Sequence, residues 1–235
     1  MRSKCFYFPE NGIDPARFPA PPERGAPELP LKCVFVGRLV PYKGADMLIE
    51  AAAPLVREGK LRVQILGDGP ELPNLRGLVS KYGVEDGVEL AGWVKQPQVA
   101  QALATADLLT FPSIREFGGG VVLEAMAMGS VPMVVDYAGP RELVTEKTGF
   151  CVPIGPRATL VSNLRAALER VAADPGQLVS MREAALRRAR EQFSWDAKAR
   201  RIVELYRYVT RRGPRPDFPN PIPDLPAPDE ATHAD

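Results

Sequence analysis

The sequence predicts an α/β protein built on a doubly wound, parallel, Rossmann-like sheet. Three observations carry this expectation. Short apolar runs of strand length alternate with segments of helical spacing from residue 31 to residue 210. Strands that alternate with helices imply a parallel sheet covered on both faces. Each of the first five strand runs also opens straight into a glycine-containing loop, and the loops outside the carboxyl ends of such strands are where open α/β sheets bind ligands.

The elements follow in order. Residues 31–36 form an apolar run containing Val and Phe, a strand. Residues 44–56 place apolar side chains at helical spacing. Residues 63–66 read as the second strand and 72–81 as the second helix. A short strand at 88–91 and a helical stretch at 98–104 come next. The strand at 108–111 leads through a glycine-rich turn into a small-residue helical run, 123–128. Residues 131–135 form the fifth strand, and 150–152 end the sheet. Three helices are expected last, at about 158–173, 178–193 and 197–210.

Proline marks both ends. Seven of the 25 prolines fall in residues 1–30 and seven in 214–235. Residues 1–30 therefore read as a segment resembling an interdomain linker, with Asn11-Gly12 as a turn signal. Residues 31–213 read as one Rossmann-like domain. Residues 214–235, rich in Pro and acid, read as a disordered tail.

Composition excludes several function classes. With 235 residues, 45% hydrophobic and 25% charged, the chain is an ordinary globular protein. A net charge of +1 gives no field for nucleic acid. No apolar run has the length of a membrane span, and residues 1–5 lack the apolar core of a secretion signal. The expected setting is cytoplasmic, with peripheral attachment to the inner membrane face as a variant. Cys5, Cys33 and Cys151 lie far apart, against both a disulfide framework and a zinc site. The one histidine is His233, so His-based nucleophile activation has no candidate.

The most informative stretch runs from Glu116 to Glu124. Two carboxylates flank Gly118, Gly119 and Gly120. A glycine turn between strand and helix exposes backbone N–H groups at a helix N-terminus, where phosphate binds. The carboxylates repel phosphate but accept hydrogen bonds from hydroxyls. One turn that suits both phosphate and polyol points to a nucleotide sugar. Each feature also has a structural explanation: an acid in the first helical turn is favoured by the helix dipole, and glycines shape tight loops. The other strand-end loops add Gly37-Arg38 through Lys43-Gly44, then Gly67-Asp68-Gly69, then Gly92-Trp93-Val94. A guanidinium and an ammonium in one loop suit a diphosphate. The Gly67-x-Gly69 pair fails the dinucleotide fingerprint because Leu72 stands at the third glycine position. No Walker A sequence and no D-x-D pair for a divalent cation is present.

Taken together these residues resemble the C-terminal half of a GT-B fold glycosyltransferase of family 4, the retaining group also called glycosyl transferases group 1. The resemblance runs from about Asn11 to Tyr208. It rests on Asn11-Gly12-Ile13-Asp14, Gly37-Arg38-Leu39 with Lys43-Gly44, Gly67-Asp68-Gly69-Pro70, Gly92-Trp93-Val94, the paired Glu116 and Glu124, and Gly139-Pro140-Arg141-Glu142. It implies a nucleoside-diphosphate sugar as donor, hexosyl transfer, and no metal or other cofactor. Arg38, Lys43 and Glu116 are the implied catalytic residues, the two cations taking the leaving diphosphate and Glu116 lying near the donor sugar hydroxyls. Glu124 would accept from the ribose hydroxyls. The backbone of Phe117, Gly118, Gly119, Gly120, Val121 and Val122 would contact sugar and phosphates. Gly37 is a further implied donor-binding residue, and Gly67, Asp68, Gly69, Trp93 and Val94 would border the base. Ala138 departs from the pattern, which often has glycine there.

The resemblance also implies an N-terminal acceptor domain, supplied in trans, with an unknown acceptor. A fragment, a split-gene subunit and a truncated frame fit the sequence alike. The alternative function is a non-catalytic nucleotide or nucleotide-sugar binding module. A dehydrogenase is undercut by the failed glycine fingerprint.

Overall fold

A computed structural model describes Phe6 and residues 8–217. Most of the Pro-rich tail, together with Cys5 and His233, lies outside the described residues. Six strands form one sheet in the order β3-β2-β1-β4-β5-β6: β1 (Leu31–Val36), β2 (Leu61–Leu66), β3 (Val88–Gly92), β4 (Leu108–Phe111), β5 (Val131–Val135) and β6 (Phe150–Val152). All five pairings are parallel, so the expected fold class holds. β4 and β5 are buried along their whole length. A strand covered on both faces has no solvent side, which is why these two read as continuous apolar runs and not as alternating ones.

The helices are α1 (Ala45–Arg57), α2 (Leu72–Tyr82), α3 (Gln96–Thr105), α4 (Gly120–Ala127), α5 (Ala138–Leu143), α6 (Arg157–Ala173), α7 (Gln177–Phe193) and α8 (Trp195–Val209). They fall into two packed sets. α1 packs on α2 and α6, while α4 packs on α3 and α7. The strand order explains the split: the chain moves outward from β1 to β3, then returns to lay β4 on the other side of β1. Where the strand order of a doubly wound sheet reverses, ligands bind outside the carboxyl ends of the strands.

Two elements escape the sequence reading. Pro41–Lys43 form one turn of 3-10 helix, too short to carry a periodicity. α5 occupies a stretch that reads as a loop because Gly139-Pro140 is a turn signal. Pro140 instead sits in the first turn of that helix, where its missing N–H has no intrahelical acceptor to lose.

The N-terminal segment is tied to the far end of the chain. Ile13 bridges to Ser194, its N–H donating to Phe193 O (2.8 Å) while its O accepts from Trp195 N (3.1 Å). Farther along, the Arg24 guanidinium donates to Ala106 O (3.0 Å) and Gly129 O (2.7 Å), beside the buried Asp107. No helix among the described residues is long and apolar enough to cross a membrane.

Candidate functional site

β1 and β4 are neighbours, so the loops that leave them open side by side at the switch point. Backbone contacts knit these loops together. Ile114 N–H donates to Tyr42 O (2.9 Å), and the Ser113 hydroxyl donates to the same carbonyl (3.3 Å). Gly44 lets them close: its φ is +75°, and a Cβ there would meet Pro112 O at 2.6 Å. The result brings two of the sequence-derived site residues into direct contact. Lys43 Nζ donates to Glu116 Oε2 in a short ion pair. Both side chains are less than a fifth exposed, and the ammonium also sits 5.1 Å from the centroid of the Phe111 ring. The pair is thus partly desolvated, at the mouth of the two central strands.

Arg38 opens the same loop, between Gly37 and the buried Leu39. It is exposed, and among the described residues its guanidinium makes no ion pair and no side-chain hydrogen bond. The loop therefore holds one cation pre-engaged by a carboxylate and one open to solvent.

The glycine turn follows Glu116. Gly119 caps α4 with φ +63° and no side-chain cap. Val122 N–H donates to Gly119 O (2.9 Å). Among the described residues the N–H groups of Phe117, Gly118, Gly119, Gly120 and Val121 donate no hydrogen bond. Five donors are thus without an acceptor among the described residues, and Val122, expected to be a sixth, is committed to the turn itself. Free N–H groups at a helix start favour an anion. Phe117 projects into solvent, 82% exposed.

Glu124 is not in the first turn of α4, where the sequence reading put it; the helix starts at Gly120 and has no acid there. The dipole therefore does not explain this residue. It sits half-buried one turn deeper, with the Gln96 side chain and Arg17 nearby. Burial raises its carboxyl above the ordinary value, against the opposing pull of Gln96 and Arg17. A carboxylate kept in such a place needs hydrogen-bond donors, and hydroxyls would supply them.

The remaining loops build the rim. Gly67 N–H donates to Gly92 O (2.8 Å), Leu39 N–H to Asp68 O (2.9 Å) and Glu71 N–H to Leu39 O (3.0 Å). A Cβ on Gly67 would meet Gly37 O at 1.8 Å, and one on Gly69 would meet Leu39 O at 2.4 Å. Asp68 accepts from Gly69 N–H through its own Oδ1 (2.8 Å). These residues clasp the loops after β1, β2 and β3 into one wall. Trp93 stands on that wall, 71% exposed, with Val94 partly buried beside it. Ala138 adopts φ +50°, the left-handed region that glycine tolerates at no cost.

Sequence reasoning missed three contributors. Asn11 lies against the glycine turn, its Nδ2 only 2.1 Å from where a Cβ on Gly118 would stand. Gln96 lies near Glu124 and opposes the rise of its carboxyl, and the Tyr42 carbonyl joins the two central loops. Asn11 reads in the sequence only as a turn signal and as part of the resemblance, and Gln96 and Tyr42 have no local signal, because each acts across a long stretch of chain. Among the described residues no three His, Cys, Asp or Glu side chains gather as metal ligands would.

The architecture defines a Rossmann-like α/β protein in which the loops carrying Arg38, Lys43 and Glu116 meet at the topological switch point. Residues 18–191 match the family model of the glycosyl transferases group 1; this chain belongs to that family. It is 33% identical over 222 residues to a D-inositol 3-phosphate glycosyltransferase of Kineococcus radiotolerans, with 83% of this chain and 50% of the relative covered. The chain thus spans about half the length of that relative. Among solved structures it resembles sucrose-phosphate synthase of Thermosynechococcus elongatus (TM-score 0.68, 24% identity, 86% of this chain and 52% of that one). It also resembles Anabaena HepE in complex with UDP and glucose (TM-score 0.64, 23% identity, 75% of this chain and 48% of that one). At such identities the likeness concerns the GT-B fold.

Proposed function

We propose that this chain is the donor-binding, C-terminal half of a family 4 retaining glycosyltransferase, which takes a hexosyl group from a nucleoside-diphosphate sugar without a metal. The observation that carries the reading is the meeting of Lys43 and Glu116 at the switch point, followed in the same loop by five N–H groups without acceptors among the described residues. A diphosphate entering the crevice offers Lys43 several anionic oxygens, and Arg38 a bidentate partner. Lys43 then exchanges Glu116 for phosphate. Glu116, released, accepts from the sugar hydroxyls. As the bond from the anomeric carbon to the diphosphate breaks, negative charge grows on the leaving oxygen. Two cations and the N–H groups of the turn stabilise that charge. Glu124 accepts from the ribose, and the Gly67–Gly69 and Trp93–Val94 wall borders the base. An acceptor domain in trans and a cytoplasmic setting complete the proposal.

Calorimetry tests it. The HepE likeness makes UDP the first nucleotide to try. The chain is expected to bind UDP and UDP-glucose at least about tenfold more tightly than uridine, because charge-assisted hydrogen bonds to the diphosphate are worth more than neutral ones. Excess EDTA should leave these affinities unchanged. A tenfold loss in EDTA would overturn the metal-independent reading, and equal affinity for UDP and uridine would overturn the diphosphate site.

A further inference from the structure

Lys198 is a lysine in an unusual place. It is 5% exposed, and its ammonium donates to three consecutive main-chain carbonyls, Pro9 O, Glu10 O (2.8 Å) and Asn11 O (2.7 Å). The Phe8 and Trp195 rings flank it at 4.9 and 5.2 Å. An ammonium has three donors, and here one short segment takes all of them. Burial opposes the charge and pulls the lysine below its ordinary value, so the clamp is costly. It fixes the backbone of residues 9–11 against α8.

The side chain that emerges from this fixed backbone is Asn11. Its carboxamide lies over Gly118 and near Gly120, where a Cβ would stand 2.1 and 3.8 Å away. Among the described residues it makes no side-chain hydrogen bond. It is only partly exposed, and the N–H groups of the turn beneath it are also without acceptors. A carboxamide both donates and accepts. Set beside a row of donors, it supplies what a phosphate does not need and a hydroxyl does: an acceptor for the hydroxyl proton.

We propose that Asn11 is a specificity-determining contact of the donor site, hydrogen-bonding a hydroxyl of the transferred sugar. This rests on the reading of the crevice as a nucleotide-sugar site. The absence of a side chain at Gly118 is what admits the carboxamide, since a methyl group there would displace it.

The test titrates UDP and UDP-glucose against the full chain and two variants, Asn11→Ala and Asn11→Leu. Asn11→Ala is expected to weaken UDP-glucose about tenfold, the loss of one hydrogen bond in a partly buried site, and to leave UDP within about twofold. Asn11→Leu, close to Asn in shape but without its polar atoms, should produce the same selective loss. It keeps the test valid should Asn11→Ala fold poorly. Equal loss of UDP and UDP-glucose, or no loss of either, overturns the role of Asn11 while the donor site stands. A wild-type chain that binds neither ligand overturns the donor reading and this inference together.

Discussion

At the scale of single residues, the Lys43–Glu116 pair decides how the site behaves before a donor arrives. The carboxylate competes with phosphate for the ammonium. Glu116→Gln is therefore expected to tighten UDP severalfold, since removing a like charge from a phosphate site favours the anion. The same variant should narrow the preference for UDP-glucose over UDP, which calorimetry reads directly. Glu124 behaves differently. Its carboxyl is raised by burial above the ordinary 4.5. Between that value and the raised one, the folded chain holds more protons than the unfolded chain, so stability falls as pH rises through the window. Wild type should show this decline in urea melts, and Glu124→Gln should not. The contact with ribose needs the ionised acceptor, so uridine and UDP binding should strengthen over the same rise in pH. At neutral pH Glu124→Gln should weaken both by about 1–2 kcal/mol. The two glutamates were legible in the sequence because a glycine turn separates them. Their closeness to Lys43 and Gln96 was not, since those residues stand in other elements that only the fold brings near.

At the scale of elements, glycines decide how closely the strand-end loops approach. Gly67→Ala and Gly69→Ala place a Cβ within 2.4 Å of main-chain oxygen, at φ +151° and +156°. Each should cost more than about 3 kcal/mol in denaturant unfolding, since strain and a backbone clash add. Gly59→Ala, at φ +69° with nothing within 4 Å, should cost only the αL penalty of about 1–2 kcal/mol. The contrast separates close approach from conformation. Ala138 supplies the converse case. Its φ of +50° predicts that Ala138→Gly stabilises the chain by up to about 1 kcal/mol, read from the urea midpoint. The sequence showed that this residue departs from a glycine pattern, but not why. The reason is the left-handed turn into α5, the helix that Gly139-Pro140 concealed. The long helices were legible because apolar spacing repeats over several turns. α5 and the 3-10 turn at Pro41–Lys43 are shorter than any repeat.

At the scale of the whole molecule, sheet order assembles the site. β1 and β4 adjoin although more than 70 residues separate Val34 from Leu109 in sequence, and only that adjacency sets Lys43 beside Glu116. The alternation of strands and helices made the fold class legible, and the rule for switch points indicated which loops to read. The order of the strands could not be counted from periodicity. On the proposed function the described residues supply the donor side alone, and transfer requires donor and acceptor held together away from water. On this reading the chain by itself binds donor with little sugar transfer, and a partner carrying an acceptor domain restores turnover. The central claim, a diphosphate clamp at the switch point, is tested most directly by one comparison: UDP and uridine titrated calorimetrically against wild type and Lys43→Ala. The clamp predicts that Lys43→Ala weakens UDP by about 1.5–3 kcal/mol, the worth of a hydrogen bond to a charged group, and leaves uridine unchanged. An equal loss for both ligands, or no loss for UDP, would contradict it.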